Sequence, residues 1–268
     1  MSSHIERNVE RFSGFADTYD SYRPQPPAII IDILTQLARV ETPDLVVDIG
    51  SGTGLSTRIW AGRARRVIGI EPNADMRREA EVRTTALSDV SYQEGISTAT
   101  GLPDGCADIV TCSQSLHWME PGPTFAEVAR ILRDGGVFAA IDCDWPPTMS
   151  WEAEQAYLDF TKKAHRFQEE MGDSRTAGRW LKEEHLAGIQ ESGLFRYVNE
   201  IAVHSVESGN ADRLVGLALS FGGVAGLLKR GLSEDEIGIT ELRNSARRTL
   251  GDDPSPWYFS YRIRLGVR

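Results

Sequence analysis

Three glycines at alternate positions, in Val46-Val47-Asp48-Ile49-Gly50-Ser51-Gly52-Thr53-Gly54-Leu55, constrain the fold of this chain more than any other feature. Leu45–Ile49 is a short apolar run broken by Asp48. Followed at once by a glycine-rich turn, it reads as a buried parallel strand. A helix is expected from Leu55. Without a Cβ, glycine reaches positive φ angles and lets a ligand lie against the backbone. A dinucleotide fingerprint needs a further Gly or Ala at position 55 for close helix packing, and Leu55 stands there instead. That weakens a nicotinamide-dependent oxidoreductase. No Gly-Lys-Ser/Thr follows, so a P-loop is excluded. Asp48, two residues before the first glycine, can brace the loop or receive hydrogen bonds from a ligand.

The same rhythm continues along the first half. Ile30, Ile33, Leu34 and Leu37 form a helical stripe, and Pro26-Pro27 suits its start. Strands are expected at Val67–Ile70, Val90–Gln93, Asp108–Cys112 and Val137–Ile141. Asn73 is expected to cap a helix running to about Arg83, and Thr124 a helix buried through Phe125, Val128, Ala129 and Leu132. Five strands with intervening helices in about 140 residues mean a doubly wound α/β sheet.

The second half differs. Ala153, Tyr157, Phe160, Ala164, Phe167 and Met171 recur at spacings of four and three, one amphipathic helix. Leu181–Glu191 is another, stopped by Gly193. Residues 211–250 are again helical, broken at Gly222-Gly223 and Gly231. Tyr197, Asn199, Ile201 and Val203 alternate, as do Trp257, Phe259, Tyr261, Ile263 and Leu265, giving two late strands. Lacking a βαβ rhythm, these should pair antiparallel at the sheet edge. The expected whole is a Rossmann-like seven-stranded α/β sheet with antiparallel last strands and a helical cap. Its parts are a core with an N-terminal helical segment over 1–144, a helical cap insertion over 145–195, and edge strands over 196–268 that hold a second helical insertion at about 208–252.

With 29 basic and 39 acidic residues the net charge is −10, which disfavours generic nucleic-acid binding. The local run Arg58, Arg63, Arg65 and Arg66 reads as a solvated helix end. Cys106, Cys112 and Cys143 lack Cys-x-x-Cys spacing and are odd in number, which points to a reducing, cytoplasmic compartment. The polar N-terminus predicts no secretory signal, and no apolar run reaches membrane-spanning length. No His, Cys or Asp cluster has metal-ligand spacing.

Glu71 stands 17 residues past Gly54 and closes the strand in Val67-Ile68-Gly69-Ile70-Glu71-Pro72. A carboxylate there can accept bidentate hydrogen bonds from both ribose hydroxyls of an adenosine. These two motifs, with Gly95-Ile-Ser-Thr-Ala-Thr-Gly-Leu-Pro103, Ala107-Asp-Ile-Val-Thr-Cys-Ser-Gln-Ser-Leu-His-Trp118 and the lead-in Phe12-Ser-Gly-Phe-Ala-Asp-Thr-Tyr-Asp-Ser-Tyr-Arg-Pro24, resemble the small-molecule class I S-adenosylmethionine (SAM)-dependent methyltransferases of methyltransferase type 11. Within these, the bacterial branch with trans-aconitate-type and natural-product enzymes is the most similar. The resemblance covers residues 12–141.

It implies SAM as cofactor, S-adenosylhomocysteine as product and a small-molecule methyl acceptor, with transfer to a hydroxyl or carboxylate oxygen favoured. A homodimer is compatible with it. Gly50 and Gly52 would face the methionine part of SAM, supported by Asp48. Glu71 would hold the ribose, with Pro72 and Met76 beside the adenine and Ser97 and Thr98 at its edge. An acidic residue is common in the family where Thr98 stands. Ser113 and Gln114 would lie near the amino group and sulfonium. Tyr19 and Arg23 would close over the cofactor, Arg23 suiting its carboxylate. His117 would act as general base or orient the acceptor, and Trp118, Asp142, Asp144 and Trp145 would contact it. Aromatic walls could come from Trp145, Trp151, Trp180, Phe221 and Trp257. Enzymes of this fold that methylate exocyclic adenine nitrogens or glutamine carry Asn/Asp-Pro-Pro-aromatic after the fourth strand. Ser113-Gln-Ser-Leu116 does not fit that pattern. A SAM-binding protein without catalysis remains the rival from another class.

Overall fold

The computed structural model describes residues 20–171 and 180–268. Seven strands form one sheet: β1 (Val46–Ile49), β2 (Val67–Ile70), β3 (Val90–Gln93), β4 (Ala107–Ser113), β5 (Leu132–Cys143), β6 (Tyr197–Gly209) and β7 (Ser255–Val267). Their order is β3-β2-β1-β4-β5-β7-β6. β1 to β5 pair in parallel, with β1 between β2 and β4. β7 runs antiparallel to β5, in a register from Val137 opposite Val267 to Cys143 opposite Tyr261. This is the Rossmann-like sheet expected from the sequence. The strand order reverses between β1 and β4, where open α/β sheets leave a crevice beyond the strand ends.

The chain divides into two compact units. Among the described residues, the larger comprises 25–143, 180–203 and 261–268. Its helices are α1 (Ile29–Leu37), α2 (Ala74–Thr84), α3 (Pro121–Ile131) and α5 (His185–Glu191). Ile30 and Leu34 bury one face of α1. Val47, Ile49, Val110, Phe125, Val128, Phe138 and Ile189 form a core in which the strands carry apolar residues on both faces, as parallel strands must. All three cysteines are free thiols, Cys112 and Cys143 buried.

The smaller unit comprises 20–24, 144–171 and 204–260 among the described residues. It contains α4 (Trp151–Glu170), α6 (Ala211–Leu219), α7 (Gly222–Lys229), α8 (Glu234–Ile237) and α9 (Ile239–Thr249). α4 buries Ala153, Tyr157, Phe160 and Ala164, the stripe its spacing predicts. Gly238, at φ +94°, makes a break between α8 and α9 that the sequence reading did not anticipate. Among the described residues no single helix is long and apolar enough to cross a membrane.

Three local expectations are corrected. The segment after Leu55 forms only a 3-10 turn, Arg58–Trp60. The hydroxyls of Ser56 and Thr57 are tied to Asp48, and Gly62 at φ +70° follows directly, so no longer helix develops. Thr124 is not a cap. Pro121, whose fixed φ suits a first turn, starts α3, and the buried Thr124 hydroxyl donates to Ser97 Oγ at 2.9 Å. Leu132 lies in β5 rather than α3, and the β4–β5 register shifts between Ala107 and Ile109.

Candidate functional site

The glycine loop lies where β1 ends at the point of strand reversal. Gly50 has φ +70° and Gly52 +56°, conformations costly for residues with a Cβ. A Cβ on Gly50 would come within 2.7 Å of Ser115 Cβ and of Met119 Cε, so the loop is pressed against the segment following β4. A Cβ on Gly52 would meet nothing within 4 Å. Gly52 therefore faces open space, as a backbone cradle for a ligand requires. Ser51 Oγ, between them, is buried without a hydrogen-bond partner among the described residues.

Asp48 is fully buried and braces this loop. Its Oδ2 accepts from Ser56 Oγ and Thr57 Oγ1, both at 2.7 Å, and its Oδ1 from Thr111 Oγ1 at 2.8 Å. Burial pushes its pKa up, and the three hydroxyls offset only part of that. Of the two roles open to Asp48, bracing is the one these bonds perform.

Glu71 ties the loop to the next helix. Its Oε2 accepts from Gly52 N–H and its Oε1 from Asn73 N–H, each at 2.9 Å. Asn73 caps α2 through Oδ1, accepting from the amides of Asp75 and Met76. Burial raises the Glu71 pKa, with the two amides and the charge of Arg77 working against it. Each carboxylate oxygen carries two lone-pair directions. One on each therefore remains for a ligand hydroxyl. Met76 is buried in the first turn of α2, and Pro72 is half-buried. Ser97 and half-buried Thr98 lie in the turn closed by the Ile96–Ala99 bridge.

The segment after β4 is built differently. Ser113 ends the strand, and Gln114 adopts φ +53°, a left-handed conformation costing about 1–3 kcal/mol in a residue with a side chain. Its N–H donates to Ile141 O, and Ser115 Oγ donates to Ile49 O, which binds this turn to β5 and β1. Leu116–Trp118 is a single 3-10 turn in which His117 is buried beside the Trp118 ring, at 5.0 Å. The His117 carbonyl accepts from Trp180 N–H at 2.9 Å.

Asp142, near the end of β5, is buried among cations. Its Oδ2 accepts from Arg264 Nη1 at 2.8 Å and lies 3.1 Å from His185 Nδ1, and its Oδ1 lies 2.9 Å from Lys182 Nζ. Arg264 also donates from Nε to Glu200 at 2.6 Å. Burial alone would raise the Asp142 pKa. The His185 hydrogen bond and the charges of Lys182, His185 and His117 outweigh it and hold the carboxyl well below its ordinary value.

The remaining expected residues lie elsewhere. Asp144, Trp145 and Arg23 belong to the smaller unit. There Arg23 stacks on Phe221 and Trp145, at 4.2 and 5.0 Å, and donates to Ser220 Oγ at 2.9 Å. Trp145, Phe221, Phe259 and Trp257 form an aromatic cluster in that unit, whereas Trp151 is 76% exposed. Tyr19 lies outside the described residues. Lys182, His185 and Arg264 were not singled out by the sequence. Their relation to Asp142 spans from 40 to 122 positions, and no local spacing signals it.

Residues 47–140 match the family model described as a methyltransferase domain. A methyltransferase of Mycobacterium bovis, itself uncharacterized, is 32% identical over 125 residues, covering 47% of this chain and 49% of that protein. A malonyl-[acyl-carrier protein] O-methyltransferase of a Marinomonas species is 24% identical over 217 residues, 78% of each chain. The chain spans about half the length of the first curated relatives it matches. Its fold is similar to that of a candidate type II methyltransferase from Anaeromyxobacter dehalogenans, with a TM-score of 0.64, 21% identity and coverage of 92% and 98% of the two chains. The glycine loop, Glu71 and the β4 segment all fall within the residues that match the methyltransferase-domain model.

Proposed function

We propose that this protein transfers a methyl group from SAM to a small-molecule acceptor, with a hydroxyl or carboxylate oxygen as the favoured target. The observation that carries this reading is the Glu71 carboxylate, fixed by Gly52 N–H and Asn73 N–H beside the open face of Gly52. Its two remaining acceptor directions suit the adjacent hydroxyls of a ribose. When bound, SAM supplies an electrophilic methyl on sulfonium, so the hard chemistry is the cofactor's. The chain has to bind, orient and exclude water.

Gly50 and Gly52 present bare backbone toward the methionine portion, and Asp48 keeps the loop in shape through its three hydroxyl partners. Pro72 and Met76 flank the adenine, with Ser97 and Thr98 at its edge. Ser113 and Gln114 border the transfer point. His117 is the residue proposed to take a proton from a hydroxyl acceptor, and a carboxylate acceptor would need no base. Trp118 offers an apolar wall. The O-methyltransferase relative, named for malonyl-[acyl-carrier protein], supports the oxygen preference.

Calorimetric titration with SAM, S-adenosylhomocysteine and NAD tests the cofactor, and labelled SAM with metabolite fractions tests transfer. Binding of the first two ligands and appearance of labelled product are expected. NAD binding without either would overturn the reading, and SAM binding with no transfer in any fraction would leave a non-catalytic binder.

A further inference from the structure

Resting on that reading, we infer that Lys182 and Gln114 form a seat for a carboxylate on the methyl acceptor, making Lys182 a residue that determines acceptor class. The Lys182 side chain is only 25% exposed. Its ammonium has three N–H donors. One is directed at Gln114 Oε1, 2.7 Å away, and one at Asp142 Oδ1, 2.9 Å away. The third is left for whatever enters through the exposed quarter. Asp142 neutralises the ammonium only in part, because Arg264 draws on the same carboxylate at 2.8 Å.

Gln114 contributes the second donor. Its Oε1 is engaged by Lys182, which fixes the amide's orientation and turns Nε2 away from that lysine. Nε2 is buried with no hydrogen-bond partner among the described residues. An amide so fixed keeps one lone-pair direction on Oε1 and presents Nε2 as a donor. A buried donor hydrogen-bonded through its own amide to a partly exposed ammonium is suited to a ligand with two acceptor oxygens and a negative charge.

The surroundings point beyond a purely structural purpose. Stability alone does not call for such a cluster, since a buried ion pair is rarely better than apolar packing of the same volume. Gln114 also holds a strained left-handed backbone, and strain of this kind gathers at functional positions. The turn lies against the glycine loop through Ser115 and Gly50.

Two carboxylates share this chemistry, the acceptor's and that of SAM's methionine. Lys182 lies outside residues 47–140, the part common to the methyltransferase domain. That favours the acceptor, which differs between enzymes where the cofactor does not. A carboxylate paired with an ammonium is a poor nucleophile, so this one anchors the acceptor while another atom receives the methyl.

The test uses the full chain saturated with S-adenosylhomocysteine and titrates succinate, glutarate and benzoate, each against its neutral amide. At least one acid should bind about 10-fold or more tighter than its amide. Lys182→Gln should erase that preference, Lys182→Arg should keep much of it, and the S-adenosylhomocysteine affinity of both variants should stay within about two-fold. The inference is overturned if the parent protein shows no acid preference, or if the preference survives in Lys182→Gln. It is also overturned if Lys182→Gln weakens S-adenosylhomocysteine about 10-fold or more yet spares 5′-methylthioadenosine, which lacks the carboxylate, because the seat then belongs to the cofactor. Failure of the parent to bind S-adenosylhomocysteine would strike the methyl-transfer reading instead. The acid titrations on the ligand-free chain would still report on the seat.

Discussion

The carboxylates at the ends of β1 and β2 and the carboxylate at the end of β5 are buried to similar depth and held in opposite ways. Asp48 and Glu71 are surrounded by neutral donors, hydroxyls and backbone amides, and burial raises their pKa values. Asp142 is surrounded by Lys182, Arg264 and His185, and its pKa is lowered. The first arrangement suits an uncharged, hydroxyl-bearing group such as a ribose, which brings further donors and no charge. The second spends its acid on holding cations in place and so presents positive charge to whatever approaches. On either side of β4 in the sheet, the two differ in the charge they offer a ligand.

Removing the acid from each end measures how deep that contrast runs. Asp142→Asn would leave Arg264 and Lys182 without their shared counter-charge. Breaking a buried pair on one side costs about 3–5 kcal/mol, so a large drop in Tm is expected in thermal unfolding. A Tm within a degree or two of the parent would mean that the cluster is hydrated and carries little strain. His117→Asn asks whether the cationic end also performs chemistry. As a base, its loss should slow single-turnover transfer by roughly 100-fold at saturating SAM with cofactor affinity unchanged. A loss of only a few-fold would leave His117 a packing or orienting residue. Glu71→Ala probes the neutral-donor end. Losing a charged acceptor removes about 1.5–3 kcal/mol, so calorimetry should show SAM affinity falling about 10- to 100-fold. Equal affinity in the variant would make Glu71 a staple of the loop and nothing more.

The hydrogen-bonded arrangement of Asp48, the glycines and Glu71 was legible in the sequence, whereas the cations around Asp142 were not, for a physical reason. Asp48, Gly50, Gly52 and Glu71 follow one another along one strand–loop–strand unit, and Asn73 caps the next helix two residues later. Their roles follow from local backbone geometry. The cationic end is assembled from three distant segments. Arg264 occupies the polar side of an alternating strand, indistinguishable in pattern from its neighbour Arg262, yet it is buried against Asp142 while Arg262 is exposed and pairs with Glu200 at 3.7 Å. The antiparallel register of β7 on β5 does not separate them either, since it sets Arg262 opposite Asp142 and Arg264 opposite Ala140; the difference lies in the burial of the Arg264 side chain between Asp142 and Glu200. The helix expected after Leu55 failed for a related reason. Its first side chains are recruited by Asp48, a demand invisible to helical periodicity.

The position of β7 has a consequence for how the protein is made. β7 lies between β5 and β6, although it is the last of the seven strands to be translated. When β6 leaves the ribosome, the neighbour it will pair with has not yet been synthesised. The parallel strands β1 to β5 can associate in the order of their synthesis, but β6 must wait with its backbone donors exposed until β7 arrives. Arg264 reaches Asp142 only then. Vectorial synthesis therefore leaves the cationic end of the site, and the far edge of the sheet, to be completed together once β7 has emerged.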